Sequence, residues 1–219
     1  MPESHKTKLV LFDLDGTLID TALDFIDSLN NILKANNRNE IDGDIIRSNV
    51  SEGSSKLVEI GFNITSDHHD FEKYRKELLA EYKKNLTNRS KPFEGIEELI
   101  NYLDLNDVLY GVVTNKPLKY AEPLMENFNI FNACKILICP DHVKNIKPDP
   151  EGILLACSKL NVKPDNCVYI GDHPGDIEAG INAGTKTIGC LYGYSLPRKY
   201  NKNESMFVNQ ASEIISLLD

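Results

Sequence analysis

Four consecutive apolar residues, Leu9-Val10-Leu11-Phe12, follow a polar start and stop at Asp13. That is the pattern of a strand buried on both faces. Ala22, Phe25, Ile26, Leu29, Ile32 and Leu33 then recur at helical spacing, with Thr21 and Asp24 arranged like a capping box in front of them. The polar, Gly-containing stretch 36–51 predicts loops and a short helix, and a further helix is expected over 55–60. Phe71, Tyr74, Leu78, Tyr82 and Leu86 mark one face of a longer helix. No strand is expected in 20–90, which reads as a helical insertion.

After Pro92 strands and helices alternate. Ile96, Leu99, Ile100 and Leu103 line a helix, and a strand over 108–113 ends at Thr114. Ala121, Leu124, Met125 and Phe128 give the next helix, and 136–138 the next strand. Ile153, Ala156, Cys157 and Leu160 precede a strand at 168–170. A helix over 174–183 has Pro174 in its first turn and Gly184 just past its end. A strand over 187–191 and a last helix with Ile214, Ile215 and Leu218 complete the series, and the Asn- and Lys-rich stretch from Tyr200 to Glu204 reads as a solvated loop. This alternation predicts an α/β protein with a doubly wound parallel, Rossmann-like sheet. Residues 1–19 and 91–219 are expected to form the core domain, and 20–90 an α-helical domain inserted into it.

Composition narrows the function. With 41% hydrophobic and 26% charged residues the chain is that of an ordinary globular protein. A net charge of −9 argues against a nucleic-acid partner, which demands clustered Lys and Arg. Five scattered cysteines without a Cys-x-x-Cys pair read as reduced thiols. The apolar run at Leu9 is too short for a signal peptide or a membrane span, so a cytoplasmic monomer or homodimer is expected.

Ligands of open parallel sheets bind at the carboxyl ends of the strands, and four polar sets are expected there. In the first, Asp13-Leu14-Asp15-Gly16-Thr17, two carboxylates one residue apart suit a hard cation. Gly16 allows a turn that aims backbone amides at an anion. A plain Asp-Gly turn has the same signature, whereas a calcium loop does not, since it needs glycine where Leu18 stands. Thr114-Asn115-Lys116 offers a hydroxyl and amides for phosphoryl oxygens, or a helix cap before Pro117. Lys147-Pro148-Asp149-Pro150 presents a lysine in a stiff loop, or a surface turn. Gly171-Asp172-His173-Pro174-Gly175-Asp176 places two acids around a helix start, where capping alone would favour them. His68 and His69 have no third ligand at a sensible spacing for zinc.

Together, in this order, the four sets resemble the haloacid dehalogenase superfamily of aspartate-nucleophile phosphatases. The stretch Phe12 to Thr21 and the helical insertion look like its phosphoglycolate phosphatase group. The resemblance implies that Asp13 is the nucleophile and that Asp15 is the general acid and base. It implies Mg²⁺ held by the carboxylates of Asp13 and Asp172 and the main-chain carbonyl of Asp15. Thr114 and Lys147 would bind phosphoryl oxygens, and Asp176 would orient Lys147 or a metal-bound water. Substrate contacts are assigned to Thr17 and Asn115 in the core; His173, standing where relatives often carry a small polar residue, reads first as a loop residue beside Pro174 and second as a contact to substrate or cap. In the cap they fall to Ser51, Gly53 and Lys56, where the alternative is a helix start capped by Ser51. The cap is expected to close as a lid and to select among small phosphorylated metabolites. Phosphoglycolate ranks first. A sugar phosphate follows, because Asn49-Val50-Ser51-x-Gly53 resembles the N-acetylmuramic acid 6-phosphate phosphatases. A phosphomutase and a non-catalytic phosphate binder rank below.

Overall fold

The computed structural model describes residues 7–197 and 206–218; Met1 to Lys6 and the expected loop at Tyr200 to Glu204 lie outside them. The chain divides into two compact units, one running to Ile19 and resuming at Pro92, the other spanning Asp20–Lys91. Strand β1 (Leu9–Phe12) opens the first unit. The short strands β2 (Ile19–Asp20) and β3 (Lys91–Pro92) pair where the chain passes from one unit to the other and back.

The inserted unit is helical: α1 (Ala22–Ala35), α2 (Gly43–Arg47), α3 (Gly53–Phe62) and α4 (Phe71–Asn85). Helix α4 is mostly charged outside, yet it buries Phe71, Leu78 and Tyr82. Tyr82 stacks on Phe25 of α1 with ring centroids 3.8 Å apart. The expected capping box at Thr21 does not form, because Thr21 makes no side-chain cap bond. Asp24 is instead fully buried and accepts from the amides of Arg89 (2.8 Å) and Ser90 (3.0 Å) and from the Ser90 hydroxyl. A buried carboxylate needs several donors, and here they tie the two ends of the insertion together. Ser51 does not cap α3 either, since Glu52 holds that position without a side-chain bond.

In the first unit β4 (Leu109–Val113), β5 (Leu137–Ile138), β6 (Cys167–Gly171), β7 (Lys186–Cys190) and β8 (Met206–Val208) join β1. The order is β5-β4-β1-β6-β7-β8 and every pairing is parallel. Helices α5 (Ile96–Leu105), α6 (Leu118–Glu126), α7 (Glu151–Lys159) and α8 (Pro174–Ala183) alternate with the strands. β1 and β6 are buried at every position, as central strands of a sheet covered on both faces must be. Two expectations change at the C-terminal end. β8 has no sequence forecast, its three residues being too short to show a period. The last helix is a 3₁₀ helix, Ala211–Leu217, that buries Ala211 and Ile214 three residues apart. All five cysteines are free, four of them buried. Among the described residues no helix is long and apolar enough to cross a membrane.

Candidate active site

Strand register decides what meets at the carboxyl edge. Phe12 pairs with Val112 of β4 on one side and Ile170 of β6 on the other, so Asp13, Thr114 and Asp172 leave the sheet at nearly one level. The chain builds β4 and β5 on one side of β1 and then returns to build β6, β7 and β8 on the other. Such a reversal opens a crevice at the strand ends, and Asp13 and Asp172 stand there.

Two glycines shape the crevice. Gly16 sits at φ +82°, and a Cβ on it would lie 2.4 Å from Asp172 Oδ2. A Cβ on Gly193 would lie 2.3 Å from the Asp172 Cβ. Backbone therefore approaches Asp172 as closely as it can from two sides. The carboxylate takes the Thr17 hydroxyl on Oδ1 (3.0 Å) and the Tyr194 amide on Oδ2 (2.8 Å), and the Tyr192 hydroxyl donates to the Thr17 carbonyl at 3.0 Å. Thr17, expected to touch substrate, thus spends its hydroxyl proton on Asp172.

Helix α8 fixes the second acid. His173 Nδ1 accepts from the Gly175 amide at 3.0 Å, and Asp176 Oδ2 accepts from the His173 amide at 3.0 Å, a reciprocal capping box. His173 is thus a helix cap rather than a substrate contact through Nδ1. Asp176 Oδ1 remains for Lys147, whose Nζ lies 2.6 Å away, and the same ammonium stands 2.8 Å from Asp13 Oδ1. Burial alone would depress the Lys147 ammonium, but Asp13 and then Asp176 outweigh it and hold it well above its ordinary value. Lys147 stays charged. Asn115 grips the main chain of Lys147 with both amide atoms, each at 3.1 Å. Asn115, expected to touch substrate, thus braces the lysine loop. Thr114 is buried, and its Oγ1 accepts from the Lys116 amide at 3.2 Å.

Lys116 belongs to the polar set after β4, yet its position in the sequence assigns it no role. Its buried ammonium lies 3.0 Å from both oxygens of Asp15. The signal available was its place in the loop after β4, two residues past Thr114. The cap residues lie in the other unit. Lys56 makes a loose surface pair with Glu59 at 3.7 Å, Gly53 is exposed at φ +84°, and the buried Ser51 hydroxyl has no hydrogen-bond partner. There too Asp70 adds a third group to His68 and His69, but His68 Nδ1 already accepts from the Asp70 amide at 3.1 Å.

Asp13, Asp172 and Asp176 bring carboxylate oxygens within 4.8 Å of one another. Burial first, then Asp176 and Asp13, pushes Asp172 well above the ordinary carboxylate range. Burial likewise raises Asp176, with Lys147 opposing. Three buried carboxylates facing one lysine carry an uncompensated charge, and an oxygen-seeking divalent cation is the chemical group that fits it. The Asp15 carboxylate is not in this cluster.

The profile of the haloacid dehalogenase-like hydrolases matches residues 10–190. The chain belongs to that family. It is an enzyme, a phosphatase of the family, with a carboxylate cluster suited to a divalent metal. N-acetylmuramic acid 6-phosphate phosphatase from Pseudomonas putida is 39% identical over 98% of this chain and 97% of its own. The enzyme of that name from Pseudomonas aeruginosa is also 39% identical, over 98% and 96%. Phosphoglycolate phosphatase from Xylella fastidiosa is 34% identical over 85% of this chain and 81% of its own. A crystal structure of a predicted phosphoglycolate phosphatase from Haemophilus somnus superposes with TM-score 0.87 at 26% identity, covering 99% of this chain and all of that one.

Proposed function

We propose that the chain removes the phosphate of N-acetylmuramic acid 6-phosphate, through an aspartyl-phosphate on Asp13. The observation that carries this reading is the 39% identity over 98% of the chain, an extent that takes in the inserted unit as well as the core. The core sets read only the phosphoryl group, so likeness in the insertion bears on the substrate more directly than the motifs do. The cap stretch Asn49-Val50-Ser51-x-Gly53, with its unpartnered Ser51 hydroxyl, supports it further. Phosphoglycolate, ranked first from the motifs, becomes the second reading, backed by relatives of lower identity and coverage.

In this reading one Asp13 oxygen attacks phosphorus as the bond to the sugar O6 breaks, and Asp15 delivers the proton that O6 needs to leave as an alcohol. Asp15 then takes a proton from water, the water oxygen attacks phosphorus, and inorganic phosphate leaves with the Asp13 carboxylate restored. Lys116 holds Asp15 in place by both oxygens. Thr114 and Lys147 bind the equatorial oxygens as charge redistributes. Asp13, Asp172 and Asp176 would hold Mg²⁺, which supplies charge that lets an anionic ester meet an anionic nucleophile.

The substrate test compares kcat/KM on N-acetylmuramic acid 6-phosphate, 2-phosphoglycolate and an aryl phosphate. The sugar phosphate is expected to exceed phosphoglycolate by at least about tenfold, a difference of about 1.4 kcal/mol in transition-state binding. Parity or reversal hands the assignment to phosphoglycolate. Stoichiometric free phosphate is expected, and a phosphoryl group found on a second sugar hydroxyl would make the protein a mutase.

Metal removal gives an independent check. Chelation should abolish turnover, with Mg²⁺ restoring it fully and Ca²⁺ poorly, because Ca²⁺ takes more ligands at longer distances. Mg²⁺ at about a hundred times its Kd should also add about 2.7 kcal/mol to the stability of chelated protein, read as a raised Tm. Full activity and an unchanged Tm after exhaustive chelation would remove the metal from the mechanism.

A further inference from the structure

Tyr169 lies in the middle of β6 and is wholly buried among apolar neighbours that include Leu9, Leu11, Val113 and Ile153. Phenylalanine would fill the same space in a parallel-sheet core. A hydroxyl in such a place costs free energy unless it is bonded, and here it is bonded to the catalytic apparatus. It accepts from Lys147 Nζ at 2.9 Å and stands 2.9 Å from the carbonyl oxygen of Val113, the residue just before Thr114. Asp176 Oδ1 is 3.3 Å away. With one proton to give, the phenol donates best to the nearer Val113 carbonyl and keeps a lone pair for the lysine.

From this arrangement we infer that Tyr169 is a positioning residue, whose hydroxyl ties Lys147 to the end of β4 so that its charge is aimed at the transferring phosphoryl group. The inference rests on the role given to Lys147 above. The Lys147 ammonium has three N–H groups and three oxygens around it, on Asp13, Asp176 and Tyr169. Two of these are carboxylates that attract it from different directions. The third is neutral, and it is anchored to the backbone that also carries Thr114. Without that anchor the lysine is free to settle further onto Asp176, away from Asp13. The tie spans Lys147 on its loop, the strand end before Thr114 and Asp176 in the first turn of α8, so it sets the relative placement of three of the four polar sets.

Tyr169→Phe removes the hydroxyl and keeps the ring, so the test is a double-mutant cycle with Lys147→Ala, run with Mg²⁺ present. Turnover is measured on an aryl phosphate and binding on inorganic phosphate by calorimetry. Neither probe depends on which natural substrate is correct, so a failure of the sugar-phosphate reading leaves this result intact. Tyr169→Phe is expected to lower kcat by roughly ten- to a hundredfold with little change in KM, and to weaken phosphate binding at least about threefold. On the Lys147→Ala background the same change should alter either quantity by less than about twofold. All four proteins are compared well below the lowest Tm of the set. Equal factors on both backgrounds would show that the hydroxyl acts through general packing, and an undiminished kcat with unchanged phosphate binding would show that it positions nothing. Either result overturns the inference.

Discussion

Asp13→Asn is expected to lower kcat by at least about three orders of magnitude while the protein stays folded. A carboxamide oxygen is a poor nucleophile toward phosphorus and cannot yield the acyl phosphate that water later cleaves. Geometry should survive, because the Asp13 amide still donates to the Ile170 carbonyl at 2.8 Å and the strand pairing does not involve the side chain. The charge balance also tolerates the change. Asp13 is one of the two carboxylates that push Asp172 upward, so neutralising it relieves repulsion even as Lys147 loses one of its anionic partners. Acid-quenched wild-type protein should carry phosphate on an acid-stable, hydroxylamine-sensitive linkage that the variant lacks. A variant retaining more than a tenth of wild-type kcat would mean that another group attacks.

The parts of this site that were readable in the sequence share a physical cause. Strand ends in a parallel sheet are marked by an abrupt change from apolar to polar residues, and Asp13, Thr114 and Asp172 each stand within one or two residues of such a change. The start of α8 is likewise local, and its acid Asp176 caps it by accepting from the His173 amide three residues back. What escaped the sequence depends on pairing through space. Lys116 reaches Asp15 across 101 positions, and Thr17 reaches Asp172 across 155. No period or spacing along the chain encodes either contact. Tyr169 escaped for a different reason, since its ring satisfies the strand pattern and hides the work of its hydroxyl. Asn115 bonds the Lys147 main chain across 32 positions, a contact that a polar side chain beside a strand end does not announce. The capping box at Thr21 failed for a tertiary reason, its acid having been drawn to the donors at Arg89 and Ser90.

The ranking of substrates changed on similar grounds. The roles expected of the first motif concern only phosphorus, metal and proton, so it cannot choose between glycolate and a sugar. A decision between leaving groups has to come from elsewhere in the chain, and the insertion is the part the motifs leave unspecified. Its residues are spaced for helix packing, as Phe25 and Tyr82 show, so their pattern reports the fold of that unit and not the molecule it recognises.

Lys147→Ala should cost about a hundred- to a thousandfold in kcat, the range for removing one preorganised donor from a transition state, and should raise KM by a smaller factor. Lys144→Ala is the control. Lys144 is exposed, three residues earlier in the same loop, and its main-chain amide donates to Glu151 Oε1 at 3.0 Å, a bond that alanine keeps. It should change kcat by less than about twofold. Stability separates the two roles Lys147 plays. Removing its ammonium strands oxygens of Asp13, Asp176 and Tyr169 in the interior, so the metal-free variant should melt well below wild type. Added Mg²⁺ can neutralise the carboxylates and should restore most of the lost Tm, yet it cannot stand where the lysine charge meets the phosphoryl oxygens, so kcat should stay low. Lys147→Arg should fare little better, because a planar fork cannot address three oxygens arranged around a single ammonium. If Mg²⁺ restored both Tm and kcat of Lys147→Ala, the lysine would be no more than a structural counter-ion, and if Lys144→Ala lost as much activity as Lys147→Ala, the loop would matter only as a surface turn.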